Sequence, residues 1–186
     1  MFPQTRDYKI FLIGDLGEQQ AQLQTLLQTY QSGSGLNQTL AGCNLKVSIK
    51  QKDPVSLTFL ASDNPSLGMI NSMLADDAHY LVIAYKDFDE GVIAALHQQV
   101  SGVLNKNCKV LLLGLKQSET FKETNESDPR NVVPEAYARD NGWVHRIVEI
   151  NNPTSVNTVM NDVIQAVAGR YLTEAVGEST LKKQTF

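Results

Sequence analysis

Residues 9–27 read KIFLIGDLGEQQAQLQTLL. An apolar run ends at Gly14, a short stretch containing Gly17 follows, and leucines then recur at helical spacing. Strand, glycine loop and helix in that order can hold a phosphate. Successive backbone N–H groups point inward, glycines admit the required φ angles, and the helix N-terminus favours negative charge. A complete loop, GxxxxGK[ST], adds a lysine for charge and a hydroxyl for Mg²⁺. Here Gly14 takes the first glycine position and Gln19 the second, while Gln20 replaces the lysine and Ala21 the hydroxyl. Gln20 can donate only a neutral hydrogen bond, and losing a charge-assisted one costs roughly 1.5–3 kcal/mol. Lysine and metal ligand lost together weaken binding by roughly a few powers of ten. A strand–turn–helix without a ligand is the simpler reading of these residues.

Other chemistry-bearing residues are scattered. His79, His97 and His145 have no partner at a useful spacing; His97 falls in a helical stretch and reads as exposed, and His145 opens a strand. Asp76 and Asp77 are adjacent, so their carboxylates point different ways, as at a solvated helix end or turn. Cys43 and Cys108 make neither a metal-ligand pair nor a disulfide framework, and read as buried thiols in a reducing compartment. Trp143, between Gly142 and a strand, reads as core or surface anchor. The stretch SLGMINSMLA (66–75) places Leu67, Met69, Ile70 and Met73 on one adaptable segment, suited either to packing on a sheet or to binding a partner.

Composition excludes several function classes. With 186 residues, 42% hydrophobic and 19% charged, the chain has the balance of one globular domain. A net charge of −4 offers no basic surplus for nucleic acid or an anionic membrane. No apolar stretch approaches the ~18 residues that span a bilayer. MFPQTRDYK does not read as a signal peptide, its Phe2 excludes N-myristoylation, and LKKQTF carries no cysteine for prenylation. A soluble, cytoplasmic protein without lipid anchor is expected.

The elements that must position these residues alternate between strand and helix. KIFLIG (9–14), YLVIAY (80–85) and KVLLLGL (109–115) are continuously apolar, as in parallel strands covered on both faces. LKVSIKQ (45–51) and VSLTFLA (55–61) alternate instead and flank the turn signal Asp53-Pro54, which predicts an antiparallel hairpin. VHRIVEI (144–150) is a sixth strand. Helical spacing joins Leu23, Leu26, Leu27 and Tyr30; Ile93, Leu96, Val100, Val103 and Leu104; and Val156, Val159, Met160, Val163, Ile164 and Val167. A weaker helix covers 132–142 and ends at Gly142. Residues 31–38 and 117–130 read as polar loops, 1–171 as one domain and 172–186 as a loose tail.

The order β-α-β-β-α-β-α-β-α-β-α predicts an α/β fold: a six-stranded, mostly parallel sheet with one antiparallel edge strand from the hairpin and helices on both faces. Ligands of such sheets bind at the carboxyl ends of the strands. The loops there follow Gly14, Phe59, Tyr85, Leu113 and Ile150.

Over roughly residues 8–170 the chain resembles the Ras superfamily of small GTPases, nearest its Rab branch. YKIFLIGDLG is similar to that family's first strand and loop, LADDAHYLVIAYKDFDE to its "GAHGIIVVYDVTD" and KVLLLGLKQSE to its "LLVGNKSDL". RNVVPEAYARDNGWVHRIVEINNPTSVNTVMNDVI is similar to the family's last third. The resemblance implies a nucleotide site at Gly14, Gly17, Gln19, Gln20, Ala21 and Lys116, with GTP or GDP and Mg²⁺ as its cofactors. It also locates what is missing. The guanine-reading Asn-Lys-x-Asp is Leu115-Lys116-Gln117-Ser118, keeping only the lysine. The Ser-Ala-Lys loop is Asn151-Asn152-Pro153. No register of LASDNPS (60–66) gives Asp-x-x-Gly, the water-orienting glutamine has no match, and Thr39 is a poorly registered candidate for the metal-binding threonine. Hydrolysis in that family rests almost wholly on positioning and metal electrostatics. The resemblance therefore implies a degenerate pseudo-GTPase, without catalytic residues, metal or cofactor, that binds a protein partner through switch-equivalent surfaces at about 31–44 and 61–76. A weak, atypical GTP/GDP binder is the first alternative. A receiver-like signalling domain using Asp15 and Asp87 is the second, opposed by the hairpin at 45–61.

Overall fold

A computed structural model describes residues 6–14, 21–30, 36–41, 44–49, 55–62, 78–116 and 129–169. The strands are β1 (Arg6–Gly14), β2 (Leu36–Ala41), β3 (Asn44–Ile49), β4 (Val55–Ser62), β5 (Ala78–Tyr85), β6 (Leu104–Lys116) and β7 (Val144–Glu149). The helices are α1 (Ala21–Thr29), α2 (Glu90–Val100), α3 (Pro129–Asp140) and α4 (Pro153–Ala168), with a 3₁₀ turn at Ser101–Val103. One mixed α/β sheet results, in the order β2-β3-β4-β1-β5-β6-β7. β1 pairs in parallel with β4 and β5, and β5-β6-β7 continue in parallel.

The predicted hairpin forms: β3 and β4 are antiparallel, with Val47 opposite Leu57 and Leu45 opposite Phe59. Its first strand is not the edge of the sheet, however. β2 lies outside it, antiparallel to β3, so among the described residues the sheet has seven strands where six were expected. Residues 36–38 fall in β2, in a stretch that reads as polar loop. LNQTLA carries too little apolar alternation to announce a strand, and an edge strand needs less of it. The backbone register nevertheless sets Leu36, Gln38 and Leu40 opposite Ile49, Val47 and Leu45.

Successive strand residues point to opposite sides. In β1 this divides the apolar run between two cores. Ile10 and Leu12 join Leu23, Leu26 and Leu27 of α1 and Val156, Val159 and Met160 of α4. Phe11 and Ile13 join Ile93 and Leu96 of α2 and Ala138 of α3. A strand serving two cores must be apolar at every position, which is why β1, β5 and β6 were readable as unbroken runs. Tyr30, 2% exposed, needs a partner for its hydroxyl and donates to Asn161 Oδ1 at 2.8 Å, tying α1 to α4.

Helix ends follow local chemistry. Asp89 Oδ1 accepts from Val92 N at 3.1 Å and caps α2. α3 closes with Gly142 at φ 71°, where Trp143 N donates to Ala138 O and Gly142 N to Arg139 O. That is the glycine-dependent C-terminal motif the sequence signalled, although α3 begins at Pro129, earlier than 132. No helix among the described residues is long and apolar enough to cross a membrane.

Candidate functional site

The register brings the strand ends together. Ile13 lies opposite Ser62, Gly14 opposite Ala84, Tyr85 opposite Gly114 and Lys116 opposite Glu149. Gly14, Ser62, Tyr85, Lys116 and Glu149 thus end neighbouring strands on one rim of the sheet. Of the residues singled out for nucleotide, Gly14 is buried as the last residue of β1, and Lys116 is half-buried at the end of β6. Ala21 opens α1. Gly17, Gln19 and Gln20 lie outside the described residues, as do Leu67, Met69, Ile70 and Met73, Asp15, the Asp76-Asp77 pair and Cys43. Among the described residues no group of three or more His, Cys, Asp or Glu could hold a metal ion.

Two positions on this rim have defined environments. Leu115, which stands where the resemblance implies the asparagine of the guanine-reading motif, is 4% exposed and belongs to the core shared by α1 and α4. After β7, Asn152 caps α4: its Oδ1 accepts from Thr154 N at 3.0 Å and Ser155 N at 3.3 Å, and its Nδ2 donates to Glu149 Oε2 at 3.2 Å. Ser155 Oγ in turn accepts from Glu149 N at 3.1 Å, and Ile150 N donates to Lys116 O at 3.1 Å. Pro153 follows at the first helical position, where its missing N–H costs nothing. The loop at 150–155 is therefore engaged by its own backbone. Asn152→Ala is expected to lower stability by about 1–2 kcal/mol, read by urea denaturation.

Reading the sequence alone missed a polar pair. Tyr85 Oη lies 2.7 Å from His145 Nε2, and the two rings stack with centroids 6.1 Å apart. To reach β7, the Tyr85 ring crosses Gly114 of β6: a Cβ there would meet the Tyr85 hydroxyl oxygen at 2.9 Å. A glycine inside an apolar strand marks such a close approach, and it was the available signal; the partners themselves are 60 residues apart. From Tyr85 the ring contacts continue through Phe88 (5.5 Å) and Tyr137 (5.6 Å) to Trp143 (5.7 Å) and His97 (4.9 Å). His97 is thus half-buried against Trp143 rather than exposed, because the indole lies against its ring. His79 accepts from Lys9 N through Nδ1 at 3.2 Å and meets Tyr8 edge-on.

Burial lowers the affinity of His145 and His97 for a proton below the ordinary value of 6.5; for His145, Glu135 opposes this while Arg146 and Lys116 add to it. Burial also pushes the Tyr85 phenol above its ordinary 10.0. At neutral pH Tyr85 is therefore the natural donor and neutral His145 the acceptor. A histidine whose proton is held less tightly when folded stabilises the fold fully above its unfolded value. That stability drains as pH falls below 6.5, because the unfolded chain takes the proton first. Urea midpoints should be constant from about pH 7.5 down to 6.5 and then fall, and His145→Gln should flatten part of that fall. Cys108 is half-buried and burial raises its thiol to about 11, so it stays protonated and unreactive at neutral pH.

No protein-family model matches the chain, and no curated protein matches it significantly.

Proposed function

We propose that this chain is a catalytically inactive, small-GTPase-like module that works by binding a protein rather than by hydrolysing GTP. The observation that carries the reading is Leu115. In the family the sequence resembles, the asparagine of the guanine-reading Asn-Lys-x-Asp motif stands at that position, and here an apolar side chain is packed into the core at 4% exposure. The order of elements is compatible with such a fold: β1 sits centrally beside the second strand of the hairpin, and one core cluster takes in residues of α1 and α4, the other residues of α2 and α3. The internally bonded Asn152 loop agrees with a site no longer used for a base.

The partner is read through the switch-equivalent segments. β2 lies within the first of them and forms an edge of the sheet, where unpaired N–H and C=O groups can receive a partner's strand. The second segment supplies Met69 and Met73, and Met69→Asp with Met73→Asp should abolish capture of that partner in a pull-down.

Thermal denaturation with GTP or GDP and Mg²⁺ separates this reading from a weak nucleotide binder. A ligand present at about 100 times its Kd stabilises a protein by ~2.7 kcal/mol, roughly 5–10 °C for a chain of this size. Neither nucleotide at about 1 mM should shift the midpoint. A shift of several degrees that requires Mg²⁺ would favour the atypical GTP/GDP binder.

A further inference from the structure

Asn141 and Gly142 form the one Asn-Gly dipeptide in the sequence, and both are exposed. Asparagine counts among the thermolabile residues, because the next backbone nitrogen can attack its side-chain amide. Glycine is the least obstructive neighbour for that attack, having no Cβ and the widest backbone freedom. Gly142 uses that freedom at φ 71°, and a Cβ there would meet nothing within 4 Å, so the pair lies open to water.

The last turn of α3 holds both reacting groups. Asn141 Nδ2 donates to Tyr137 O at 2.9 Å, and Gly142 N, the attacking nitrogen, donates to Arg139 O at 3.0 Å. Asn141 N donates to Tyr137 O and Ala138 O, both at 3.2 Å, and Trp143 N donates to Ala138 O at 2.8 Å. The leaving amide is thus held back along the helix, while the nitrogen keeps its proton in a hydrogen bond. Attack needs both bonds broken, so it needs the end of α3 to open.

We propose that Asn141 is a self-modification site locked by the C-terminal turn of α3, and that its deamidation permanently weakens that turn. On opening, Gly142 N loses its proton to hydroxide and bonds to Asn141 Cγ. The Cγ–Nδ2 bond breaks, ammonia leaves, and a cyclic imide remains. Water then opens the imide: attack at Cγ gives aspartate, attack at the main-chain carbon gives isoaspartate. Neither product can donate to Tyr137 O. Both place a new carboxylate at a helix end whose carbonyls already carry negative partial charge. Arg139, the basic residue of that turn, already lies 3.7 Å from Asp140. The lock therefore re-forms weakly. Trp143, whose ring meets Tyr137 at 5.7 Å and His97 at 4.9 Å, then loses the turn that seats it.

The test follows the full chain by peptide-mapping mass spectrometry at mildly alkaline pH, folded and in urea. In urea Asn141 should convert ahead of every other asparagine, to a mixture of aspartate and isoaspartate. In the folded chain the same site should convert more slowly by roughly tenfold or more, in proportion to the open population. Ala138→Gly loosens the turn and leaves the Asn-Gly pair intact, so it should speed conversion of the folded chain by roughly two- to fivefold. The consequence is read by hydrogen exchange of the Trp143 amide. Asn141→Ala removes the donor without adding charge, and Asn141→Asp should exchange faster than it by roughly two- to fivefold at low salt. Equal rates in folded and unfolded chain, or an Asn141 that outlasts other asparagines in urea, would overturn the proposal. So would no response to Ala138→Gly, or equal exchange in Asn141→Asp and Asn141→Ala.

Discussion

Leu115→Asn destabilises the fold by about 3–8 kcal/mol and restores no affinity for GTP; this is the expected result of returning the asparagine of the resemblance's guanine-reading motif to its position. Two costs add. The leucine's burial is lost, and the new amide enters a core in which Leu113 of the same strand and apolar side chains of α4 line the cluster. Removing a buried leucine side chain costs roughly 2–5 kcal/mol, and a buried polar group without a partner about 1–3 kcal/mol. Differential scanning calorimetry should show the midpoint falling by roughly 10 °C or more. In a chain that still used the position for guanine, the same change would be tolerated and would raise nucleotide affinity. A stable Leu115→Asn variant that gained GTP binding would therefore reverse the assignment of Leu115 to the core.

Tyr85→Ala should be comparably severe, at about 3–5 kcal/mol by urea denaturation. Tyr85 is 7% exposed and links β5 to Phe88 and to His145 on β7. Truncation removes the ring, empties the space over Gly114 and leaves His145 Nε2 without its phenol. Tyr85→Phe isolates the hydrogen bond and should cost only about 1–3 kcal/mol. Gly114→Ala tests the close approach from the other side. Its added methyl displaces the phenol ring, at roughly 1–3 kcal/mol. Combined with Tyr85→Phe it should cost less than the sum, because the nearest atom to that methyl, the hydroxyl oxygen at 2.9 Å, is then gone. Strict additivity would mean that ring and strand do not meet there.

These two regions differ in how far the sequence revealed them. The central strands were legible because each serves two cores and is apolar at every position; β1 and β5 need no alternation to be recognised. The hairpin was legible from its period of two and from Asp53-Pro54. β2 was not, since an edge strand of the composition LNQTLA satisfies its backbone on one side and asks little of its side chains. Gly142 marked the end of α3 correctly, while the start of that helix, carrying two prolines, gave no clear signal.

On the rim of the sheet, the positions of Gly14 and Lys116 followed directly from the strand ends. The role of Asn152 as a cap was latent in the Asn-Pro-Thr-Ser pattern that opens α4, but its bond to Glu149 depends on how the turn closes. The Tyr85–His145 pair was out of reach, because a contact across three strands leaves no periodicity in a single chain. His97 was misjudged for the same reason: Trp143, 46 positions later in the sequence, is what covers it.

The most direct measurement is to purify the chain without added nucleotide, denature it, and chromatograph the supernatant for guanine nucleotides. A module that has given up its nucleotide site releases no GDP or GTP. Close to one mole of either per mole of protein would contradict that and make the chain a nucleotide-binding protein after all.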